Sequence, residues 1–578
     1  MIRMITSSGI ELELAKDMEF EIEYDNPLFE DERIPVPFST SITFPATKTN
    51  CKIFGYMPMM MLPPSVLKID VTIEVFGVPI FRGHLEYDSI EDGKPCYTFT
   101  GAETDIDWSK KLWELKIFSY KESEASAVIA SIDAGEVDGI TAPLLTNKAL
   151  VSESIYWDDA ASTPDTVSSN DKYRNCPIFQ GTNSRPGDSP GLWGFTPVIS
   201  FSRILSAIPG VWSKLPDEPG LSIIGSPAQW KKSLIPRTRP GESSGTKAEG
   251  SGEKDYDIAD RLPDVPVSDF VSNLAKMLCA SVYYDGGRIA FVSFDEIIDE
   301  TPMNWEGKIA EGWTAGKEES SAYKLSYTDS AANGNYDEEA LAEDYENGAL
   351  AVADNLGQLI SFAEEDFIPI LYGETFDVYS IRRFTYFGKI VISADVILHN
   401  TASVEDEGED NVNDCSLDFI LPYCIPEILY GKNDIVYRRM SPVIEFPAAG
   451  SERTQKMYIG YSAGKQFTDT GFYYKEDGST GCVQEGGPQF ATLLGPHYIY
   501  ERYHSRFAAW LATERQTISA DLNLSPMDIN EFRMFRPVYF SGRRWIVRSL
   551  RLRFNAGSDK IESSGEFISL DDAGVEKS

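Results

Sequence analysis

No stretch of this 578-residue chain approaches the roughly 18 consecutive apolar residues of a membrane-spanning helix. The nearest approach, YMPMMMLPP at 56–64, is short and broken by proline, and is expected as a loop packed beside a sheet. The opening MIRMITSSGIELELAKD lacks the apolar core of a secretion signal. Cysteine is sparse: seven residues, at 51, 96, 176, 279, 415, 424 and 482, without framework spacing. That pattern points to reduced, mostly buried thiols and to synthesis in a cytoplasm; a Cys415–Cys424 disulfide is disfavoured because nothing around the pair forms a framework. Positive charge is scarce as well. Against 90 acidic residues stand 52 Lys and Arg, for a net charge of −38. Self-repulsion on that scale favours solubility and disfavours broad contact with nucleic-acid phosphates or anionic lipid, while leaving room for DNA to pass an acidic wall.

The motifs of common chemistry are missing too. The chain has no G-x-x-x-x-G-K-[ST], no G-x-G-x-x-G and no EF-hand loop, so no cofactor is expected. Its four histidines are His84, His399, His497 and His504. His84 sits in a strand pattern and reads as a surface residue. His497 and His504 lie seven apart in PHYIYERYH without a cysteine or third histidine at zinc spacing, so packing is the better reading. One catalytic pattern occurs, Gly460-Tyr461-Ser462-Ala463-Gly464. A nucleophile elbow needs a strand before the serine and a helix after it. MYI suits the strand, but KQFTDTGFYYKEDGSTG does not suit the helix. Carboxylates are too numerous for any acid and base pair to stand out.

What is present is β-sheet grammar. In VLKIDVTIEVF, Ile69, Val71, Ile73 and Val75 alternate with Lys68, Asp70, Thr72 and Glu74, the period of a half-buried strand. FRGHLEY and Tyr97–Gly101 continue it after breaks at Gly77 and Gly93, giving an antiparallel meander that begins a barrel or sandwich. PVPFSTSITFPATKTNCKIFGY suits an edge strand and a single helical turn closed by Gly55. The 122–133 segment reads as a helix, 152–195 as ordered loops, and 195–210 as a helix capped by Ser200 or Ser202. RTRPGESSGTKAEGSGEKDYD at 237–257 has linker composition. VPVSDFVSNLAKMLCASVYYDGGRIAFVSF predicts a helix with Ser268 as N-cap, then a hairpin. Strand patterns recur at Tyr323–Tyr327 and 384–398. An acidic patch lies between them at 337–346, and a second acidic run, at 405–414, is expected as a solvated loop.

Length sets about three or four domains. The expected fold is mainly β with α+β insertions, built from antiparallel barrel or sandwich modules. The divisions are an N-terminal β-domain (1–120), a loop-rich domain (121–262), an α+β domain (263–400) and a β-rich C-terminal domain (401–578).

RPVYFSGRRWIVRSLRLRF at 536–554 repeats the strand, Ser-Gly turn, strand grammar, and its apolar face switches near Arg548-Ser549, which predicts a β-bulge. In so acidic a chain, Arg533, Arg536, Arg543, Arg544, Arg548, Arg551 and Arg553 crowd this one segment. One reading is an edge strand kept soluble by charge. The sharper one is a surface of arginine forks docking on acidic patches of another domain or subunit.

Three pieces together resemble tail hub proteins of bacteriophages, the baseplate-hub or tail-tip family. They are TSITFPATKTNCKIFGY with VTIEVFGVPIFRGHLEYDSI and YTFTGAETDIDW; then VSDFVSNLAKMLCASVYYDGGRIAFVSF; then ADLNLSPMDINEFRMFRPVYFSGRRWIVRSLRLRF. The resemblance covers about a quarter of the chain and leaves 136–195 and 237–257 unexplained. It implies a structural protein of the virion tail without enzymatic activity. It also implies a homo-oligomer, a trimer before a hexamer, that joins the tube to the tip, contacts other tail proteins and lets DNA pass. A receptor- or carbohydrate-binding protein is the rival reading, and a hydrolase using Ser462 the next.

Overall fold

The computed structural model describes residues 2–35, 39–58, 62–101, 106–121, 255–285, 288–328, 499–557 and 561–570. It also describes 124, 127–128, 131, 137–141, 145–147, 173–174, 197–210, 212–216, 221–225, 351–353, 370–372, 376–386, 389–399, 412–420, 424–430, 435–444, 455–462, 472–475 and 488–489. The readings of 122–133, 152–195, 237–254 and 337–346 fall wholly or mostly outside these residues.

The meander forms as its alternation dictates. Strands Lys68–Val75, Val78–Glu91 and Lys94–Thr100 pair antiparallel, with Val71, Ile73, Phe81, Leu85 and Phe99 on the dry side. Asp92 and Gly93 both take positive φ (47° and 74°), the two-residue turn whose twist matches the flanking strands. Ile2–Thr6 and then Glu11–Leu12 extend one side of the sheet, and Ser39–Thr43 completes the other as an edge strand. The sheet is open, not a closed barrel: its two edge strands do not pair.

A helix fills the gap. Lys48–Phe54 is capped by the Thr47 hydroxyl, which accepts from the Asn50 N–H at 3.2 Å, and ends on left-handed Gly55. Its Asn50 is fully buried. The Asn50 side chain accepts from the Glu13 N–H (2.9 Å) and donates to the Glu13 carbonyl (2.8 Å), beside one edge strand. It also donates to the Pro45 carbonyl (3.0 Å), beside the other. Phe54 then stacks on Tyr97 at 4.4 Å. One asparagine thus replaces the backbone ladder that closure would have required. The adjoining loop is not packed as expected, for Met57 and Leu62 are 63% and 58% exposed.

The second large sheet runs Met303–Asn304, Val538–Phe540, Arg543–Asn555, Ile561–Ser569, Arg515–Leu522, Thr314–Glu318. Glu19–Asp25, from the other end of the chain, pairs antiparallel with Arg543–Asn555. The long strand therefore has two partners on one side: Val538–Phe540 along its first residues and Glu19–Asp25 along its last. The bulge expected at Arg548 lies between these two stretches, where the register to Ile561–Ser569 shifts between Val547 and Ser549.

Helix Val267–Met277 and the antiparallel strands Ala280–Tyr284 and Ile289–Ser293 form as expected. The helix begins two residues early, at Val267 behind Pro266, so Ser268 lies in the first turn and does not cap it. Helix Phe201–Ala207 carries the Ser200 cap and ends at Ile208, before Gly210. Asp255–Asp257, read as the end of the linker, is a strand paired with Ser119–Lys121. Ala322–Tyr327 lies between Lys389–His399 and Val412–Leu417, so the second acidic run ends inside a strand and not in a loop. Further sheets join Val198–Ser200, Leu221–Ile224 and Met457–Ser462, and Leu145–Asn147, Ile435–Ile444 and Cys424–Tyr430. The fold is mainly β with antiparallel and mixed sheets, and the described apolar side chains form one continuous cluster from Ile2 to Leu570.

Candidate functional site

The arginine-rich segment is committed within the chain. Arg551 bonds Glu23 and lies 2.9 Å from Glu21; Arg553 reaches Glu19 at 2.5 Å. These are pairs across adjacent strands, EFEIEYD against RSLRLRFN, with acid facing base on the wet side. On the dry side Phe20 stacks on Phe554 at 5.0 Å, and Ile22 opposes Leu552. Arg533 bonds Asp285 (2.6 Å), and Arg536 donates to the Thr301 carbonyl (3.0 Å) with Glu300 at 3.9 Å. Arg543 donates to Gln516 (2.9 Å), and Arg544 to the Ile298 carbonyl (2.8 Å). Arg548 donates to Glu318 (2.9 Å) and lies over the Phe29 ring.

The bulge has its own lock, which sequence reasoning missed. A bulge leaves ladder groups unpaired, and a buried unpaired carbonyl is costly. Buried Asn26 meets both: its side-chain amide donates to the Val547 carbonyl (2.7 Å), and its backbone N–H to the Arg548 carbonyl (2.8 Å). Its own oxygen accepts from the Leu28 N–H (3.0 Å) and the Tyr283 hydroxyl (3.1 Å). Three distant segments meet on one side chain. The only sequence signal is an Asn-Pro after a strand, which reads as a turn.

Beside this lock lies a cavity of about 190 Å³, lined by Phe29, Arg33, Lys276, Phe507, Arg515 and Arg548 among others. Arg515 is almost fully buried and donates to the carbonyls of Trp510, Leu511 and Thr513 through one nitrogen and of Glu319 through another. Burial lowers its guanidinium below the ordinary value, and Glu318, 3.7 Å away, opposes that. Arg33 is 8% exposed, lies 5.5 Å from the Phe507 ring centre, and has one terminal nitrogen buried without a hydrogen-bond partner among the described residues.

The described histidines are bonded or paired within the fold. His504 is buried in the π-helical turn Tyr500–His504; its Nδ1 lies 2.7 Å from the Tyr323 hydroxyl and its Nε2 3.0 Å from the Met277 carbonyl. The Met277 carbonyl only accepts, so Nε2 carries the proton and Nδ1 accepts from Tyr323. Burial holds this imidazole down to about 4, so it is neutral. His399 lies 2.6 Å from the Tyr500 hydroxyl, and burial lowers it too. His84 is mostly covered, not superficial, with Glu86 at 3.2 Å. His497 lies outside the described residues.

Ser462 ends strand Met457–Ser462, as an elbow requires, while residues 463–471 lie outside the described ones. Cys51, Cys96, Cys279 and Cys415 are free thiols, so Cys415 forms no bridge to Cys424. Among the described residues no His, Cys, Asp and Glu group suits a metal, and no helix is long and apolar enough to cross a membrane.

No protein-family model and no curated protein matches the chain. Among solved structures, it is similar to the 43 kDa tail protein of prophage MuSo2 from Shewanella oneidensis, at 7% identity and a TM-score of 0.32, covering 99% of this chain and 97% of that one. It is similar also to the tail protein from Neisseria meningitidis MC58, at 7% identity and a TM-score of 0.30, covering 98% and 95%. Likeness at that level assigns neither fold nor function.

Proposed function

We propose that this chain is a structural protein of a bacteriophage tail or a related injection device: a baseplate or tail-tip hub that joins tube to tip in a ring. The observation that carries the reading is the interlock of the three hub-like segments. The first contributes the open sheet plugged by Asn50, the second the helix and hairpin holding Tyr283, the third the strand Arg543–Asn555. Asn26 ties the second to the third, and the N-terminal strand Glu19–Asp25 is sewn into the last. A chain whose two ends share one sheet resists being pulled apart at a single boundary, which suits a wall under load.

On this reading the chain acts in the virion tail after synthesis in the host cytoplasm, contacts other tail proteins and meets DNA only in passage. The excess of carboxylates faces the channel, where it repels phosphate. The four sequence divisions, 1–120, 121–262, 263–400 and 401–578, serve as its working domains. The wet face carrying Glu19, Glu21, Glu23, Arg551 and Arg553 is the candidate contact between subunits, since charge pairs there set orientation more than affinity.

Native mass spectrometry and electron microscopy of the purified chain, alone and mixed with tube protein, test this. A closed ring of three copies, or six, is expected. A monomer under both conditions overturns it, and saturable glycan binding by that monomer supports the receptor-binding reading instead.

A further inference from the structure

We propose that the cavity beside the bulge is a binding site for a small oxyanion, a phosphate or a carboxylate, held by Arg33 and Lys276. The charges lining the cavity are already sorted (Arg33, Lys276, Arg515 and Arg548 against Glu30, Asp31, Glu318 and Asp414). Glu318 is engaged by Arg548 at 2.9 Å and faces Arg515. Asp414 is held by Lys324 at 3.4 Å and by the Ser416 hydroxyl at 3.0 Å. Arg515 spends two of its nitrogens on backbone carbonyls. Glu30 and Asp31 are exposed, and neither lies within ion-pair distance of Arg33. That leaves Arg33 and Lys276 as the lining cations with no anionic partner among the described residues.

The two differ in what they require. Lys276 is half-buried and keeps access to water. Arg33 is more than nine-tenths buried, and a guanidinium does not discharge by losing its proton. A buried charge without a counter-charge is strongly destabilising. Its field reaches Cys279, Cys415, Tyr283, Tyr323 and His504. Burial pushes those thiols and phenols upward and the imidazole downward, so every one is neutral near pH 7. The positive charge thus lines a cavity of about 190 Å³ in which Glu318 and Asp414 are engaged by other cations and Glu30 and Asp31 are exposed, with room for a phosphate-sized anion and its residual water. The planar fork of Arg33 matches two oxygens of such an anion, and Lys276 on the same lining supplies a point charge.

The test is titration of the full chain with inorganic phosphate and with acetate at pH 7, against sodium chloride at equal ionic strength. Binding is read by calorimetry and by the shift in unfolding temperature. Specific stabilisation by phosphate, acetate or both is expected. Preference for phosphate identifies a phosphoryl group as the natural ligand, and equal response to acetate a carboxylate. Arg33→Met should weaken binding by about tenfold or more, as loss of a charged hydrogen bond does. Because Arg33→Met also alters a buried position, Lys276→Gln serves as the conservative arm and should weaken binding about threefold while leaving the fold intact. A response to both oxyanions no greater than to chloride means a hydrated cavity only and overturns the proposal. Undiminished binding by a folded Lys276→Gln and Arg33→Met pair does the same.

Discussion

Asn50 and Asn26 show how much a single amide holds when it is buried and fully bonded. Asn50 serves three backbone groups across the open side of the N-terminal sheet, and Asn50→Ala strands all three in an apolar place. A loss of about 2–4 kcal/mol is expected, since each abandoned buried group costs about 1–3 kcal/mol and some water enters. Urea unfolding of the variant measures it, and a change below about 1 kcal/mol would show that the helix plug needs no amide staple. His504 is a different case because its cost depends on pH. Burial lowers it from the ordinary 6.5 to about 4 in the fold. The unfolded chain therefore binds the proton more readily over that window. This contribution is fully present above 6.5 and is lost as pH falls toward 4, to a limit of about 3 kcal/mol. The decline in stability from pH 6.5 to 4.5 should be shallower in His504→Gln than in the parent. Equal slopes would mean that other groups set the acid limit.

At the scale of elements, the pairing of Glu19–Asp25 with Arg543–Asn555 separates holding from choosing. Ile22 is fully buried, so Ile22→Ala should cost about 2–5 kcal/mol. The Glu23–Arg551 pair is about half exposed on both sides, which screens it to well under about 1 kcal/mol. Packing holds the strand and sets its register, since a one-residue slip would turn Phe20 and Ile22 to water; the charges bias which acid meets which base on the wet face. Glu23→Arg should lower stability slightly, and adding Arg551→Glu should restore it. The coupling should fade in about 1 M salt, where the Debye length is near 3 Å. A double variant no better than the single would deny the pair any role.

For the whole molecule, the two ends of the chain depend on each other. Removing residues 1–30 takes a strand from the C-terminal sheet, the Asn26 lock from its bulge and the Leu28 and Phe29 wall from the cavity. The truncated chain is expected to expose apolar surface and aggregate, although no part of residues 31–578 has been altered. Circular dichroism and size exclusion check this. A truncated chain that stays monodisperse with native near-ultraviolet signal would show that the shared strand is dispensable.

Much of this was legible locally. Alternation at Lys68–Val75 announced its own strand because one sheet face is dry and one wet, and that rule acts residue by residue. The helix and hairpin at 267–293 and the bulge at Arg548 followed from spacing alone. The crowding of arginines was visible too, but not their destinations: Asp285, Glu318 and the Glu19–Glu23 strand are 230 to 534 residues away. Nor did composition reveal that Asn50 and Asn26 would be buried, or that Arg33 would line a cavity without an anionic partner among the described residues. Sequence by itself determined the β-rich class and the positions of the strands with clear alternation, because side-chain period and turn chemistry are short-range. Only the tertiary structure decided which strands pair, which amides close the gaps and which cations line the cavity without an anionic partner among the described residues. Those outcomes depend on long-range register and on what remains after every other polar group has found its partner.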